Sequence, residues 1–150
     1  MTALNACLLK SFASLPFGSS SDEALKLFGP AEETEELEAI DGSKSAVWHY
    51  WTKGFTLFFD GPKTNRFCCA EIDSSVELKM WDIHIFSLNE AQLKKLFVQN
   101  GFKELDEEVH EWGEKRITFD DAMADFYFEN GKMVSVNFST MIPSESEINN

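Results

Sequence analysis

Apolar positions along this chain change their spacing several times, and each change marks an element. From residue 3 to 17, Leu4, Cys7, Leu8, Phe12 and Leu15 are spaced for one face of a short amphipathic helix, which Pro16 and Gly18 would end. A second helix is predicted from Ser20 to Gly29. Glu23 comes three residues after Ser20, so the Ser hydroxyl accepts from the Glu23 amide while the Glu23 carboxylate reaches back to the cap amide. Ala24, Leu25, Leu27 and Phe28 supply its apolar side, and Gly29-Pro30 stops it. The polar run Glu32 to Glu38 predicts a solvated loop. Val47 to Trp51 and Phe55 to Phe59 are β-rich, with Lys53-Gly54 suited to the hairpin turn between them and Asp60-Gly61-Pro62 closing the second. Arg66 to Ile72 predicts a third strand. Val76, Leu78, Met80, Ile83 and Ile85 predict a fourth, or a strand linking two halves of the chain.

The second half has the same plan as the first. Ser87-Leu88-Asn89-Glu90-Ala91-Gln92-Leu93 lies 67 positions after the Ser20 helix start and continues to Phe97, with Gly101 just beyond. An acidic stretch from Glu104 to Glu111 and Trp112 come next, then the strand-like Arg116 to Phe119. Phe126-Tyr127-Phe128 runs into Asn130-Gly131, the strongest short hairpin signal. Val134, Val136 and Phe138 then share one face of a last strand. The order helix, acidic stretch, aromatic strand, turn and final strand occurs twice. It predicts one domain over 1–150 built of two repeats, about 10–75 and 82–140, with a flexible tail at 143–150. The expected class is α+β, with two tandem helix-plus-antiparallel-sheet units sharing one continuous sheet and helices on one side.

Composition adds sign to this picture. Hydrophobic residues make up 43% of the 150, with 14 Phe and 4 Trp, so a sizeable core is available. The formal net charge is −13, from 26 Asp and Glu against 13 Lys and Arg. Nucleic acid and anionic membrane are unsuited to such a field, because phosphate binding needs a cationic footprint. A basic protein would be drawn to it, less so as salt rises. The three cysteines, Cys7, Cys68 and Cys69, make an odd count that predicts no disulfide framework and a reducing, cytoplasmic setting. Leu4-Asn5-Ala6-Cys7 has the look of a lipoprotein processing site but lacks a basic and apolar lead. No window approaches the roughly 18 apolar residues of a membrane helix.

Catalytic and metal-binding constellations are weak throughout. His49, His84 and His110 have no metal-ligand spacing, so no metal is expected. Cys68-Cys69 has Arg66 as its one local cation for lowering a thiol pKa. Asp120-Asp121 and Glu107-Glu108 lack a defined spacing for acid–base work, and no phosphate-binding glycine loop or nucleophile elbow is present. No catalytic residue and no cofactor is therefore expected. Binding residues are better represented. On a strand, Trp48 and Tyr50 share one face and His49 and Trp51 the other, so an aromatic anchor can reach solvent. Trp112 and Tyr127 hold comparable places in the second half. The acidic stretches supply Glu35 and Glu36, and Glu107 and Glu108, as a rim.

The element Phe17 to Pro30, followed by Trp48-x-Tyr50 and the strand to Phe59-Asp60, resembles the repeat of the β-lactamase-inhibitor-protein fold and of the small outer-membrane assembly lipoproteins related to it. The resemblance implies a short helix running into an antiparallel sheet, two such units in tandem, and a paired sheet surface that grips another protein. The inhibitors are secreted and disulfide-bonded within each unit, which this chain's cysteines do not match.

Together these readings predict a non-catalytic protein-binding protein: a bacterial, cytoplasmic, immunity-type inhibitor of a basic toxin or enzyme. Trp48, Tyr50, Trp51, Glu35, Glu36, Glu107, Glu108, Trp112 and Tyr127 are its expected contact residues. A pocket for an apolar small molecule is the alternative, and a hydrolase-type enzyme using scattered carboxylates or Cys68 and Cys69 a third.

Overall fold

A computed structural model describes residues 3–60, 65–110 and 113–140. Its elements in chain order are β1 (Leu4–Cys7), β2 (Ser11–Phe12), β3 (Leu15–Pro16), α1 (Ser21–Phe28), β4 (Glu33–Glu38), β5 (Lys44–Tyr50), β6 (Phe55–Asp60), β7 (Arg66–Asp73), β8 (Leu78–Met80), β9 (Ile83–His84), α2 (Glu90–Gln99), β10 (Leu105–Val109), β11 (Glu114–Phe119), β12 (Ala124–Glu129) and β13 (Lys132–Ser139). Eight strands form one antiparallel sheet in the order β10-β11-β12-β13-β7-β6-β5-β4. Its two four-stranded halves are each a meander, and they meet where β13 runs antiparallel to β7, Val136 opposite Ile72 and Phe138 opposite Ala70. A smaller sheet, β3-β2-β1-β8-β9, is closed by a parallel pairing of β1 with β8.

The balanced α+β class expected from the sequence is overturned. Strand makes up 50% of the described residues and helix 20%. The second sheet supplies much of the packing that helices were expected to supply. Its Phe12 is fully buried and touches Phe55 and Phe138 edge-on, at centroid distances of 5.2 and 5.8 Å. The N-terminal helix expected over 3–17 is absent. Leu9, Ala13 and Ser14 have φ values of 66°, 49° and 73°, which a right-handed helix excludes. Ala6, Leu8, Phe12 and Leu15 point inward from a tight meander instead, and their spacing imitates a helical stripe.

The remaining elements follow local chemistry more closely. Ser20 caps α1 by accepting from the Glu23 amide at 3.2 Å, and Gly29 ends it at φ 78°. Only Ala24 of α1 is buried, and Leu25 and Leu27 are exposed rather than part of the apolar side. The capping box of α2 is set two residues later than Ser87. Asn89 accepts from the Gln92 amide at 2.8 Å and Gln92 accepts from the Asn89 amide at 2.9 Å, while the Ser87 hydroxyl donates to the His84 carbonyl. Asn130 and Gly131 turn β12 into β13 at φ 52° and 80°, as a two-residue hairpin requires. A register shift beside this turn puts Met133, not Val134, in the core with Val136 and Phe138. Residues 61–64, which hold most of the expected Asp60-Gly61-Pro62 turn, and the expected tail at 143–150 lie outside the described residues.

Both acidic stretches, expected as loops, are strands. β4 pairs along β5 from Glu33 opposite His49 to Glu38 opposite Lys44, and β10 pairs along β11 from Leu105 opposite Phe119 to Val109 opposite Lys115. They are the two edges of the large sheet. Carboxylates there oppose pairing with a further strand, which gives low β-propensity a place in a sheet.

One face of the large sheet carries the core. Tyr50, Phe55, Leu57, Phe59, Phe67, Ala70 and Ile72 from one half join Ile117, Phe119, Phe126, Phe128, Val136 and Phe138 from the other. Residues of α1, α2 and the smaller sheet complete the same cluster. The alternate residues of these strands point to the opposite face, the open face, where Val47, Thr56 and Thr118 are buried among neighbours and most others are half-buried or exposed.

Candidate functional site

Strand alternation and register place Glu33, Glu35, His49 and Thr56 on the open face of the first half, Glu71 and Asp73 near its middle, and Asp125, Tyr127, Glu129, Arg116, Asp106 and Glu108 on the second half. Side chains there make two compact networks. On the first half, His49 Nδ1 lies 3.1 Å from Thr56 Oγ1 and Nε2 lies 3.4 Å from a Glu35 oxygen. The Trp51 ring covers the imidazole, with centroids 4.2 Å apart and planes 8° from parallel. On the second half, the Arg116 guanidinium donates to Asp106 at 3.1 Å and Glu108 at 3.0 Å and stands 3.8 Å from Asp125. It also donates to the Thr118 hydroxyl, which in turn donates to Asp125. Glu108 and Asp106 raise the Arg116 pKa above its ordinary value, so this charge is permanent.

Between the networks, across the β7–β13 junction, lies a depression of about 530 Å³. Trp51, Glu71, Asp73, Tyr127, Glu129 and Asn137 are among its lining residues, and among the described residues no Lys, Arg or His lines it. Glu114 adds a further carboxylate to the lining. The Glu71 carboxyl is pushed above the ordinary carboxylate range by partial loss of water, with His49 acting in the opposite sense. Desolvation and the Asp125 carboxylate raise the Tyr127 phenol, so it remains a neutral hydroxyl at physiological pH. Asp73 is held by the Ser75 amide at 2.8 Å and by the Ser75 hydroxyl.

The expected contact residues divide between the faces. Trp51, 57% exposed, and Tyr127 meet at the depression, and Glu35 and Glu108 belong to the flanking networks. Glu36 and Glu107 point to the other side. Glu36 pairs with Lys44 at 3.4 Å, and Glu107 with Lys115 at 3.2 Å and with Lys94 of α2, which fastens that helix to the sheet edge. Trp48 packs on Phe59 at 4.6 Å. Tyr50 is 1% exposed, and its hydroxyl donates to the Gly29 carbonyl at 2.8 Å. Tyr50 belongs to the core, and Trp48 is half-buried against it. Trp112 lies outside the described residues.

Residues that sequence reading missed include Glu71, Asp73, Glu129, Arg116 and Asp125. The signal for them was a single acidic residue between apolar neighbours on a strand, as in Ala70-Glu71-Ile72, which assigns Glu71 to the face opposite the core. That these strands stand side by side at a junction is a matter of topology.

Three other features bear on chemistry. Glu33, Glu35 and His49 bring one ligand atom each within 4.8 Å of one another, the two carboxylates exposed on the edge strand and the imidazole half-buried beside them. Burial, reinforced by Asp60, pushes the Cys68 thiol up to about 11, and burial with nearby Cys68, Glu71 and Asp125 pushes the Cys69 thiol up to about 12. Neither is a ready nucleophile at neutral pH. No helix among the described residues is long and apolar enough to cross a membrane.

Compared with known protein families, curated proteins and solved structures, the chain matches none.

Proposed function

We propose that this chain is a stoichiometric, non-catalytic binding protein, an immunity-type inhibitor working in the bacterial cytoplasm, and that the open sheet face receives a basic toxin or enzyme. The observation that carries the reading is the depression at the sheet junction, lined by carboxylates and by Trp51 and Tyr127 among its aromatic residues, with no basic side chain among its described lining residues. Aromatic anchors give binding area at low entropic cost, and a rim of one charge sign steers an oppositely charged partner. The overall charge of −13 acts in the same direction at longer range. The raised Cys68 and Cys69 thiols speak against a thiol enzyme. An apolar ligand held between sheet and helices draws no support from a depression that carries Glu71, Asp73, Glu114 and Glu129 and faces the other way.

The test is association kinetics against basic proteins encoded beside this chain. Glu33→Lys with Glu35→Lys, on the open face, should slow association about tenfold at low salt and much less at high salt. Glu38→Lys, pointing to the other side of the same strand, should leave the rate near that of the unaltered protein. Absence of complex formation with any basic protein would overturn the reading.

A further inference from the structure

We propose that the depression at the β7–β13 junction is the receptor for one arginine side chain of the basic partner. The inference rests on the reading of the open face as a partner-binding surface. Charge complementarity selects the occupant. The cations of the two flanking networks already have their carboxylates: Arg116 has Asp106, Glu108 and Asp125, and His49 has Glu35. Glu71 and Glu129 line the depression from the two halves of the sheet with no ion pair among the described residues, although Lys132 stands opposite Glu129 across the terminal hairpin. Neighbouring protein strips part of the water from Glu71, so an incoming cation stabilises its charged form better than the recess alone does, and Glu129 adds a second carboxylate at the exposed end.

The rings choose between the two basic side chains. Trp51 and Tyr127 both line the depression. Trp51 is already stacked flat on His49, so its other face is directed away from the imidazole. A planar guanidinium stacks on such a ring while its edge N–H groups donate to carboxylates in a fork. An ammonium is more strongly hydrated and forms no planar stack. Asn137 and Ser135 on the floor offer further oxygen acceptors to a group with five donors. A volume of about 530 Å³ admits the side chain together with the backbone that carries it.

The experiment is calorimetric titration of tetra-arginine and tetra-lysine peptides into the full chain at low salt. The chain is tested unaltered, as Glu71→Gln with Glu129→Gln, as Trp51→Ala, and as Glu36→Gln with Glu38→Gln. The last pair removes equal charge from the other side of β4 and controls for net charge. Thermal melts confirm that each variant is folded. Tetra-arginine should bind about fivefold tighter than tetra-lysine. Glu71→Gln with Glu129→Gln should weaken tetra-arginine about tenfold, Trp51→Ala should remove most of the preference over lysine, and the control pair should change affinity less than about twofold. Equal binding of both peptides, or equal loss in pocket and control variants, would overturn the arginine receptor and leave the basic-partner reading in place. Absence of binding by either peptide would remove both.

Discussion

The two halves of the large sheet share a backbone plan and stabilise it by different means. In the second half the helix does much of the packing: α2 buries Leu93, Leu96 and Phe97, and Phe97 lies on Phe119 at 4.3 Å and against Phe126 at 5.1 Å. In the first half α1 buries Ala24 alone and packs its half-buried Phe28 on Phe55, and Phe12 of the smaller sheet fills in against both rings. The corner before β6 and the corner before β12 are both single 3-10 turns ending in a left-handed residue, Gly54 at φ 80° and Met123 at φ 51°. On the open face, the His49 imidazole is the centre of one network and the Arg116 guanidinium the centre of the other. A repeated chain path therefore tolerates different cores, and the asymmetry falls on the face turned to solvent.

The largest test of this contrast is in the core. Phe97→Ala should cost about 4 kcal/mol, and Phe12→Ala a similar amount, because both rings are fully enclosed. Phe28→Ala should cost about half as much, its ring being partly exposed. Urea midpoints at unchanged slope give the ranking. Equal losses at Phe28 and Phe97 would show that the helices carry equal loads.

Next in size are the two corners. A Cβ on Gly54 would stand 2.6 Å from Ser75 Oγ, 2.7 Å from Val76 Cγ2 and 2.9 Å from Asp73 Oδ1. Strain at positive φ adds to these clashes, so Gly54→Ala should destabilise by about 2 kcal/mol or more. Met123→Gly relieves left-handed strain and loses side-chain packing, and should change stability by less than about 1 kcal/mol. A neutral Gly54→Ala would show that the first corner has room to shift.

Two carboxylates should respond to acid in opposite senses. Lys94 first, and then Lys115, hold Glu107 below the ordinary carboxylate range. Its contribution is present above that range and is lost as pH falls through the lowered folded value. Glu107→Gln should cost about 0.5 kcal/mol at neutral pH, the size of a solvent-exposed pair, with the difference vanishing in strong acid. Glu71 is raised by burial, so its charged form opposes folding at neutral pH, and this opposition ends as pH falls through the raised folded value. Glu71→Gln should raise the melting temperature slightly at neutral pH, and the gain should fade on acidification. Melting curves across the acid range distinguish the two directions.

The smallest effect concerns the thiols. Cys7 is exposed, whereas Cys68 and Cys69 are half-buried with thiols raised to about 11 and 12. A disulfide reagent at mildly alkaline pH should react quickly with Cys7 and slowly with the pair. Fast reaction at either of the pair would mean that the centre of the sheet opens.

Elements with strong local chemistry are legible in the sequence. The Ser20 cap, the Gly29 stop, the Gly54 corner and the Asn130-Gly131 hairpin all fall where their residues predict, because each depends on a few neighbouring dihedral angles. The N-terminal segment misleads because its inward-facing positions are spaced like a helix while Leu9, Ala13 and Ser14 turn the chain. The acidic stretches mislead because edge pairing supplies backbone hydrogen bonds that glutamate's propensity does not favour.

Within the site, Trp51, Tyr127, Glu35 and Glu108 lie on the open face and are legible as contact candidates from residue type. Tyr50 and Trp48 are not separable from them by sequence, since alternation assigns residues to two faces without saying which is covered. Charge sign, aromatic supply, turn positions and the alternating faces of each strand were determined by the sequence itself, for these are set by residue type and period. The joining of β7 to β13, the second sheet that takes the core side, and the meeting of Glu71 with Glu129 in one recess were decided by the tertiary structure. They depend on contacts between residues far apart in the chain, where register and packing act on the whole molecule at once.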